Sequence, residues 1–110
     1  MTDRVIRDGL VAVLISPGVG AGWSSWANTE YHDQMLFDPW IVDVLLSEYS
    51  RQEKTNRIRA HCLLKYPGQY LGGLDDLTVE WVAQGTEFKV SEYDGAEHIE
   101  FKDVNDWIVA

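Results

Sequence analysis

The sequence predicts an α+β fold in a single domain that spans residues 1–110. Two apolar runs near the N-terminus have the composition of β-strands, and apolar side chains recur at helical spacing in the middle of the chain. After residue 73 the apolar period changes to two, which is typical of half-buried strands. We therefore expect an N-terminal β-hairpin, two central helices and a C-terminal antiparallel meander, joined in one mainly antiparallel sheet.

The hairpin is predicted by Asp8-Gly9, because Asp-Gly between two strand-like runs is a strong signal for a two-residue turn. The second run, residues 10–15, is apolar throughout and has the pattern of a strand covered on both faces. Pro17 and the glycines after it end this strand, and residues 23–37 are interpreted as an irregular loop.

Both helices carry start signals. Asp38 and Pro39 match the N-cap and the first position of a helix that runs to residue 48 or 49. Ser50 and Glu53 match a capping box that begins a second helix over residues 51–64. Trp40 falls on the apolar face of the first helix, so we expect it in the core.

The predicted meander begins at residue 77 and turns at Gln84-Gly85 and Asp94-Gly95. Trp81 alternates with polar side chains in its first strand and is expected in the core. A short closing strand is expected at residues 107–109.

The composition argues against several classes of protein. Nine basic and eighteen acidic side chains give a net charge of −9, so we expect no direct binding to nucleic acid or to an anionic membrane. The longest apolar run is too short to span a bilayer, and we expect no secretory signal. Cys62 is the one cysteine, which fits the reducing cytoplasm that we expect for this chain.

The segment with the strongest signal for a ligand lies between the first strand pair and the first helix. Its glycines allow close approach of a ligand to the backbone, and its tryptophans offer faces for stacking on a base or ring. Successive N–H groups there would also suit an anion. The alternatives are a tight turn needed for the fold and indole rings that close the core. The candidate ligand-binding residues are Gly18, Gly20, Gly22, Trp23 and Trp26.

The charge is unevenly distributed along the chain. Residues 51–65, the basic segment, contain five basic residues and one glutamate, a net charge of +4. Residues 75–110, the acidic segment, contain ten acidic residues and two lysines, a net charge of −8. Lys54, Arg57 and His61 share one side of the second helix and suit a phosphate or a carboxylate. The alternative is a solvated face that pairs with the acidic segment, within one chain or across a dimer.

Signals for catalysis, metals and cofactors are weak. The three histidines share no metal-ligand spacing, and we expect no metal, no cofactor and no assigned catalytic residue. Glu92, Asp94, Glu97 and His98 cluster around a predicted turn, where exposed acids are common. Cys62 in a helix is interpreted as a small apolar residue.

Distinctive motifs occur along the chain: Ser16-Pro17-Gly18-Val19-Gly20-Ala21-Gly22-Trp23, Leu71-Gly72-Gly73-Leu74-Asp75-Asp76-Leu77 and Glu92-Tyr93-Asp94-Gly95-Ala96-Glu97. With these motifs the chain resembles, over nearly its whole length, a family of small proteins found in phages, prophages and bacteria, which implies a bacterial host cytoplasm. The resemblance implies a mobile-element context, in which small acidic proteins often inhibit host defence. It implies no particular activity.

These observations predict a non-enzymatic binding protein that captures a small, nucleotide-derived ligand, for example a host immune signal. One alternative is an inhibitor whose acidic segment imitates nucleic acid and binds a host defence complex. Another is a small enzyme that acts on a nucleotide. The aromatic surplus also predicts a homodimer or a higher homo-oligomer.

Overall fold

A computed structural model of the chain describes residues 3–18, 22–69 and 71–101, and over these residues the α+β class is confirmed. Two single-turn 3-10 helices, Ser24–Trp26 and Leu74–Asp76, lie between the longer elements. The longer elements are β1 (Ile6–Arg7), β2 (Leu10–Ile15), α1 (Thr29–Phe37), α2 (Pro39–Leu45), α3 (Arg51–Lys65), β3 (Thr78–Ala83), β4 (Phe88–Tyr93) and β5 (Ala96–Phe101).

Strand β2 is the centre of the fold. It pairs antiparallel with β1 on one side and with β3 on the other. Ala12 and Leu14 belong to a hydrophobic cluster that includes buried side chains of α2 and α3. Val11, Val13 and Ile15 belong to a second cluster, which includes the end of α1 and is packed against by β4 and β5. The prediction of a strand covered on both faces is therefore confirmed.

The described strands form two sheets rather than one. β1, β2 and β3 make a three-stranded sheet, whereas β4 and β5 pair only with each other in a two-stranded hairpin. Phe88, Val90 and Ile99 on one face of this hairpin pack against the second cluster, so the hairpin covers the three-stranded sheet instead of extending it. The predicted closing strand at residues 107–109 lies outside the described residues.

Both predicted Asp-Gly turns are confirmed. Asp8 and Gly9 have φ angles of 52° and 77°, and Asp94 and Gly95 have φ angles of 49° and 84°. A positive φ at both central residues is the geometry of the two-residue turn whose twist matches paired antiparallel strands.

Both predicted helix starts are confirmed as well. Asp38 Oδ1 accepts hydrogen bonds from Trp40 N at 2.9 Å and from Ile41 N at 3.3 Å, with Pro39 at the first helical position. Ser50 Oγ accepts from Glu53 N at 3.2 Å at the start of α3. α2 ends at Leu45, before the predicted end at residue 48 or 49.

The prediction of an irregular loop over residues 23–37 is wrong for its second half, which forms α1. The fully buried residues of α1, Met35, Leu36 and Phe37, all lie in its last turn, and Tyr31 before them packs partly buried against the first cluster, so the apolar pattern along the helix is weak. Asn28 stands at the N-cap, but its side chain makes no capping hydrogen bond. A helix that is anchored at one end has a weak periodic signal, and this explains why the pattern did not reveal it.

The described helices give no sign of a membrane span: none of them combines the length and the apolar character that crossing a bilayer requires.

Candidate functional site

The two tryptophans of the glycine-rich segment have different environments. Trp23 is fully buried, with 0% of its surface exposed, and its indole Nε1 donates to Met35 O at 2.7 Å. It therefore offers no stacking face in this conformation and belongs to the core. Trp26 is 40% exposed, and its ring lies directly over Gly22.

The polar centre of this segment is a buried carboxylate from β5. Glu97 is 2% exposed, and its Oε1 accepts from Ser16 N at 2.9 Å. Its Oε2 accepts from Trp23 N at 2.8 Å, from Ser25 N at 3.0 Å and from Ser25 Oγ at 2.5 Å. Three backbone N–H groups and a hydroxyl thus converge on one anion, which is the donor arrangement of a backbone anion site.

The glycines permit close packing around this carboxylate. A Cβ on Gly18 would lie 2.2 Å from Asp76 Oδ2, and a Cβ on Gly22 would lie 2.4 Å from Trp26 Cδ2. Gly22 also has φ +75° and donates from its N to Gly95 O at 2.7 Å. The observed role of these two glycines is close contact within the fold. Gly20 lies outside the described residues.

The three residues predicted on the basic segment contact different parts of the chain. Lys54 Nζ donates to Leu45 O at 2.8 Å, at the C-terminal end of α2. Arg57 Nε donates to Glu53 Oε1 at 2.8 Å, and its guanidinium lies 4.1 Å from the centre of the Tyr49 ring. The predicted common side of the helix therefore faces protein groups, but none of these contacts is with the acidic segment.

His61 belongs to a buried cluster around Asp38. Asp38 is 1% exposed, and its Oδ2 accepts from Tyr66 OH at 2.5 Å and lies 2.9 Å from His61 Nε2 and 3.4 Å from Lys65 Nζ. The His61 ring stacks on Trp40 at 4.3 Å. Trp40 is 41% exposed, so the prediction that it is a core residue is wrong: its ring covers His61 at the surface.

The electrostatics of this cluster are those of a structural centre. Burial alone would raise the pKa of Asp38, but hydrogen bonds from Tyr66 and His61 and the charge of Lys65 leave that pKa below its usual value. Burial, with the hydrogen bond to Asp38 and the charge of that carboxylate, raises the pKa of Tyr66 well above its usual value. Asp38 therefore stays ionised and Tyr66 stays protonated at neutral pH, and together they join the start of α2 to the end of α3.

Cys62 and His98, two residues of types suited to nucleophilic or metal chemistry, lie on different elements, α3 and β5. Burial, followed by the charge of Asp38, raises the pKa of the Cys62 thiol to about 12, which leaves it protonated and unreactive. His98 Nε2 lies 3.1 Å from Glu100 Oε1, while Glu97, which we had grouped with His98, points into the fold. No group of three or more metal-ligating side chains is found in the described part of the chain.

A cleft of about 530 Å³ lies between the start of α3, the end of α2 and the first residues of β3. This volume is within the range of roughly 300–1,000 Å³ that is usual for ligand pockets. The residues of α3 that line it include Arg51, Lys54 and Thr55, which carry hydrogen-bond donors, and the Leu74–Asp76 turn contributes Asp75 and Asp76. Apolar side chains that line the rest of the cleft include Ile58, Leu74, Leu77, Val79 and Trp81.

The exposed side chain of Arg51, at the mouth of the cleft, contacts the Leu74–Asp76 turn. Arg51 Nη2 donates to Asp75 O at 3.0 Å and lies 4.0 Å from Asp76 Oδ1. The Arg51 side chain is 79% exposed, so most of its donors face solvent. Gly18 packs against the Asp76 side chain and leaves room for it. The glycine-rich segment therefore contacts a residue of the cleft but does not itself line the cleft.

Of the sequence-predicted site residues that the structure describes, Lys54 alone lines this cleft. The sequence pattern places Arg51 at the start of the second helix and Asp75 in the second motif. It does not predict that they are close, because their proximity depends on how α3 packs on the Leu74–Asp76 turn. The buried role of Glu97 was missed because the alternation of β5 gives no indication of which face meets the glycine-rich segment.

Comparison of the chain with protein-family models, with curated proteins and with solved structures finds no match. The function is therefore argued from the geometry of the cleft and its surroundings.

Proposed function

We propose that this protein is a non-enzymatic binding protein that captures a small, nucleotide-derived ligand in the cleft between α3 and β3. The observation that carries the proposal is that a single cleft is lined by the donor-bearing residues Arg51, Lys54 and Thr55, by Asp75 and Asp76, and by apolar side chains. A ligand that fits it needs an anionic end, a donor-rich end and an apolar or aromatic body between them.

A nucleoside monophosphate has these three parts. Its phosphate suits Arg51, Lys54 and the Thr55 hydroxyl, because cationic and hydroxyl donors are the usual partners of phosphate oxygens. Its ribose hydroxyls or base N–H groups suit the carboxylates of Asp75 and Asp76, which accept hydrogen bonds. Trp81 and the aliphatic residues beside it suit the planar base.

The charges of the lining argue against a more highly charged ligand. Two basic and two acidic side chains line the cleft, so it has no formal excess of positive charge. A nucleoside polyphosphate would place its additional negative charge near the carboxylates of Asp75 and Asp76, which would weaken binding. This proposal keeps the class of function expected from the sequence, capture of a small ligand. It places the site in the cleft, because Trp23 is buried and does not line it. The resemblance to phage and prophage proteins supplies a context, sequestration of a host nucleotide signal.

The test is binding of adenosine and guanosine 5′-monophosphate, measured by isothermal titration calorimetry and by thermal unfolding. We expect at least one nucleotide to raise the Tm by about 4–8 °C at roughly five times its Kd. Arg51→Ala removes a donor at the cleft mouth and should weaken binding about tenfold, which corresponds to the loss of about 1.4 kcal/mol.

Arg59→Ala is the matched control. Arg59 is also an exposed arginine of α3, but it does not line the cleft, so this variant should bind as the unchanged protein does. Absence of binding by both nucleotides, or equal weakening by the two arginine substitutions, would contradict the proposal.

A second candidate, binding of a defence protein through the acidic segment, retains one supporting observation. Five carboxylates of the β3–β5 region remain exposed, whereas Glu97 points inward: Glu80, Glu87, Glu92, Asp94 and Glu100. Binding of this kind would weaken steeply with salt and would be indifferent to Arg51→Ala. Self-association stays a prediction from the composition.

A further inference from the structure

The carboxylate of Glu97 occupies a set of donors that belongs to a different part of the chain. The donors come from Ser16, Trp23 and Ser25, whereas Glu97 comes from the β4–β5 hairpin, which forms a separate sheet. The two parts also share two backbone hydrogen bonds, from Glu97 N to Ser16 O at 2.9 Å and from Gly22 N to Gly95 O at 2.7 Å.

Besides these bonds, each donor residue makes contacts that do not involve the hairpin. Ser16 follows β2 directly and its Oγ donates to Gly73 O at 2.7 Å. Trp23 is fixed by its buried ring and by the hydrogen bond from Nε1 to Met35 O. Ser25 lies in a 3-10 turn that is closed by a hydrogen bond from Ala27 N to Ser24 O at 3.1 Å. Contacts other than those of the Glu97 carboxylate therefore help to hold the donor set in place.

We propose that the backbone amides of Ser16, Trp23 and Ser25, with the Ser25 hydroxyl, form a binding site for a small carboxylate or phosphate, and that Glu97 fills this site as a tethered ligand. Preformed backbone donors bind anions of either kind, because the N–H groups recognise charge and oxygen geometry rather than a particular molecule. A polar atom is also left over in the same turn: the Ser24 hydroxyl is buried and has no hydrogen-bond partner among the described residues.

The tether explains why Glu97 holds the site in the unchanged protein. A group attached to the same chain has an effective concentration in the millimolar range or above, so a free anion at similar concentration does not displace it. Removing the carboxylate should expose the site to free anions. This inference concerns a site away from the cleft and does not depend on nucleotide binding there.

The experiment uses Glu97→Ala, which removes a CH₂–COO⁻ group that acetate closely matches in size. Thermal unfolding is measured at pH 7 in sodium acetate, formate, phosphate and chloride at equal ionic strength. We expect acetate or formate to raise the Tm of the variant by about 4–8 °C at roughly five times its Kd, relative to chloride. The unchanged protein should show no such difference, and the phosphate arm shows whether the site also accepts that anion.

Glu100→Ala is the matched control, because Glu100 is a second glutamate of β5 whose side chain is exposed. Its Tm should respond to acetate as the unchanged protein does. If Glu97→Ala is unfolded in chloride, refolding from urea is followed by the near-ultraviolet circular dichroism of the tryptophans. Recovery in acetate but not in chloride supports the site. A variant whose Tm or folding yield is the same in all four anions, including one that stays unfolded in each, overturns it.

Discussion

Two carboxylates, Asp38 and Glu97, lie almost completely buried in this protein, and each is surrounded by hydrogen-bond donors. A buried charge is tolerated only when donors replace the water that it loses, and loss of one partner leaves the other group unsatisfied. Asp38 joins the start of α2 to α3, and Glu97 joins the hairpin to the residues that follow β2. At the scale of single residues, we therefore expect substitutions of these two side chains to lower the stability of the fold.

Replacing Asp38 with alanine should lower the free energy of unfolding by roughly 2–4 kcal/mol, measured by urea denaturation at pH 7. The substitution removes the N-cap of α2 and leaves the buried hydroxyl of Tyr66 without its acceptor. Asp43→Ala is the control, because Asp43 is an exposed residue of α2 and its replacement should change stability by less than about 0.5 kcal/mol.

The pH dependence gives this prediction a second measurement. The pKa of Asp38 is lower in the folded protein than in the unfolded chain, so its stabilising contribution is complete above the unfolded pKa and is lost as the pH falls through the folded pKa. The stability difference between the unchanged protein and Asp38→Ala should therefore stay constant from pH 7 to about 5 and shrink as the pH falls below about 4. A difference that does not shrink below about pH 4 would contradict an ionised Asp38 as its source.

At the scale of elements, the fold depends on close contact between segments that are distant in sequence. A Cβ on Gly73 would lie 2.2 Å from Gly22 O and 2.8 Å from Ser16 Oγ, so the Leu74–Asp76 turn packs against the glycine-rich segment with no space between them. This contact holds together the two motifs that the sequence made conspicuous. The glycine content predicts a tight turn or a ligand-binding loop. It does not predict this contact, because Gly22 and Gly73 are brought together only by the tertiary fold.

Gly73→Ala should lower the free energy of unfolding by about 2–3 kcal/mol, because the new methyl group meets backbone atoms that cannot move independently. Gly85→Ala provides a matched comparison: Gly85 has φ +87° and open space around it, so alanine there has only the backbone cost of about 1 kcal/mol. Chemical denaturation of both variants measures the difference. Equal losses would show that the contact with Gly22 does not constrain the fold.

The elements that sequence patterns predicted are those with local signals. The Asp8-Gly9 turn and the Asp38 and Ser50 caps are specified within a few residues, and all three are confirmed. α1 was missed because its fully buried residues are confined to one end. The division of the strands into two sheets was missed because alternation shows that a strand has two faces and does not show which strand lies beside it.

At the scale of the whole molecule, β2 lies between two hydrophobic clusters, and the β4–β5 hairpin covers one of them from the outside. The cleft lies beside the other cluster, where α3 meets β3 and the Leu74–Asp76 turn. The charged residues that line the cleft are evident in the sequence, but their proximity is not. Arg51 and Asp75, for example, are 24 residues apart and meet only because α3 packs against the Leu74–Asp76 turn. Lys54 was identified because a helical face is a local property.

This arrangement predicts that the hairpin opens more easily than the rest of the protein. A two-stranded sheet is marginal on its own, so its protection depends on Phe88, Val90 and Ile99 and on the buried carboxylate of Glu97. Glu97→Gln keeps the size of the side chain but removes its charge, which weakens the hydrogen bonds from three backbone amides. Native-state hydrogen exchange should then be about tenfold faster in β4 and β5 and unchanged in β2 and α3.

Glu100→Gln, on the same strand but exposed, should leave exchange in all four elements unchanged. If exchange in Glu97→Gln accelerated equally in β2 and in the hairpin, the carboxylate would stabilise the molecule as one cooperative unit rather than hold the hairpin against it.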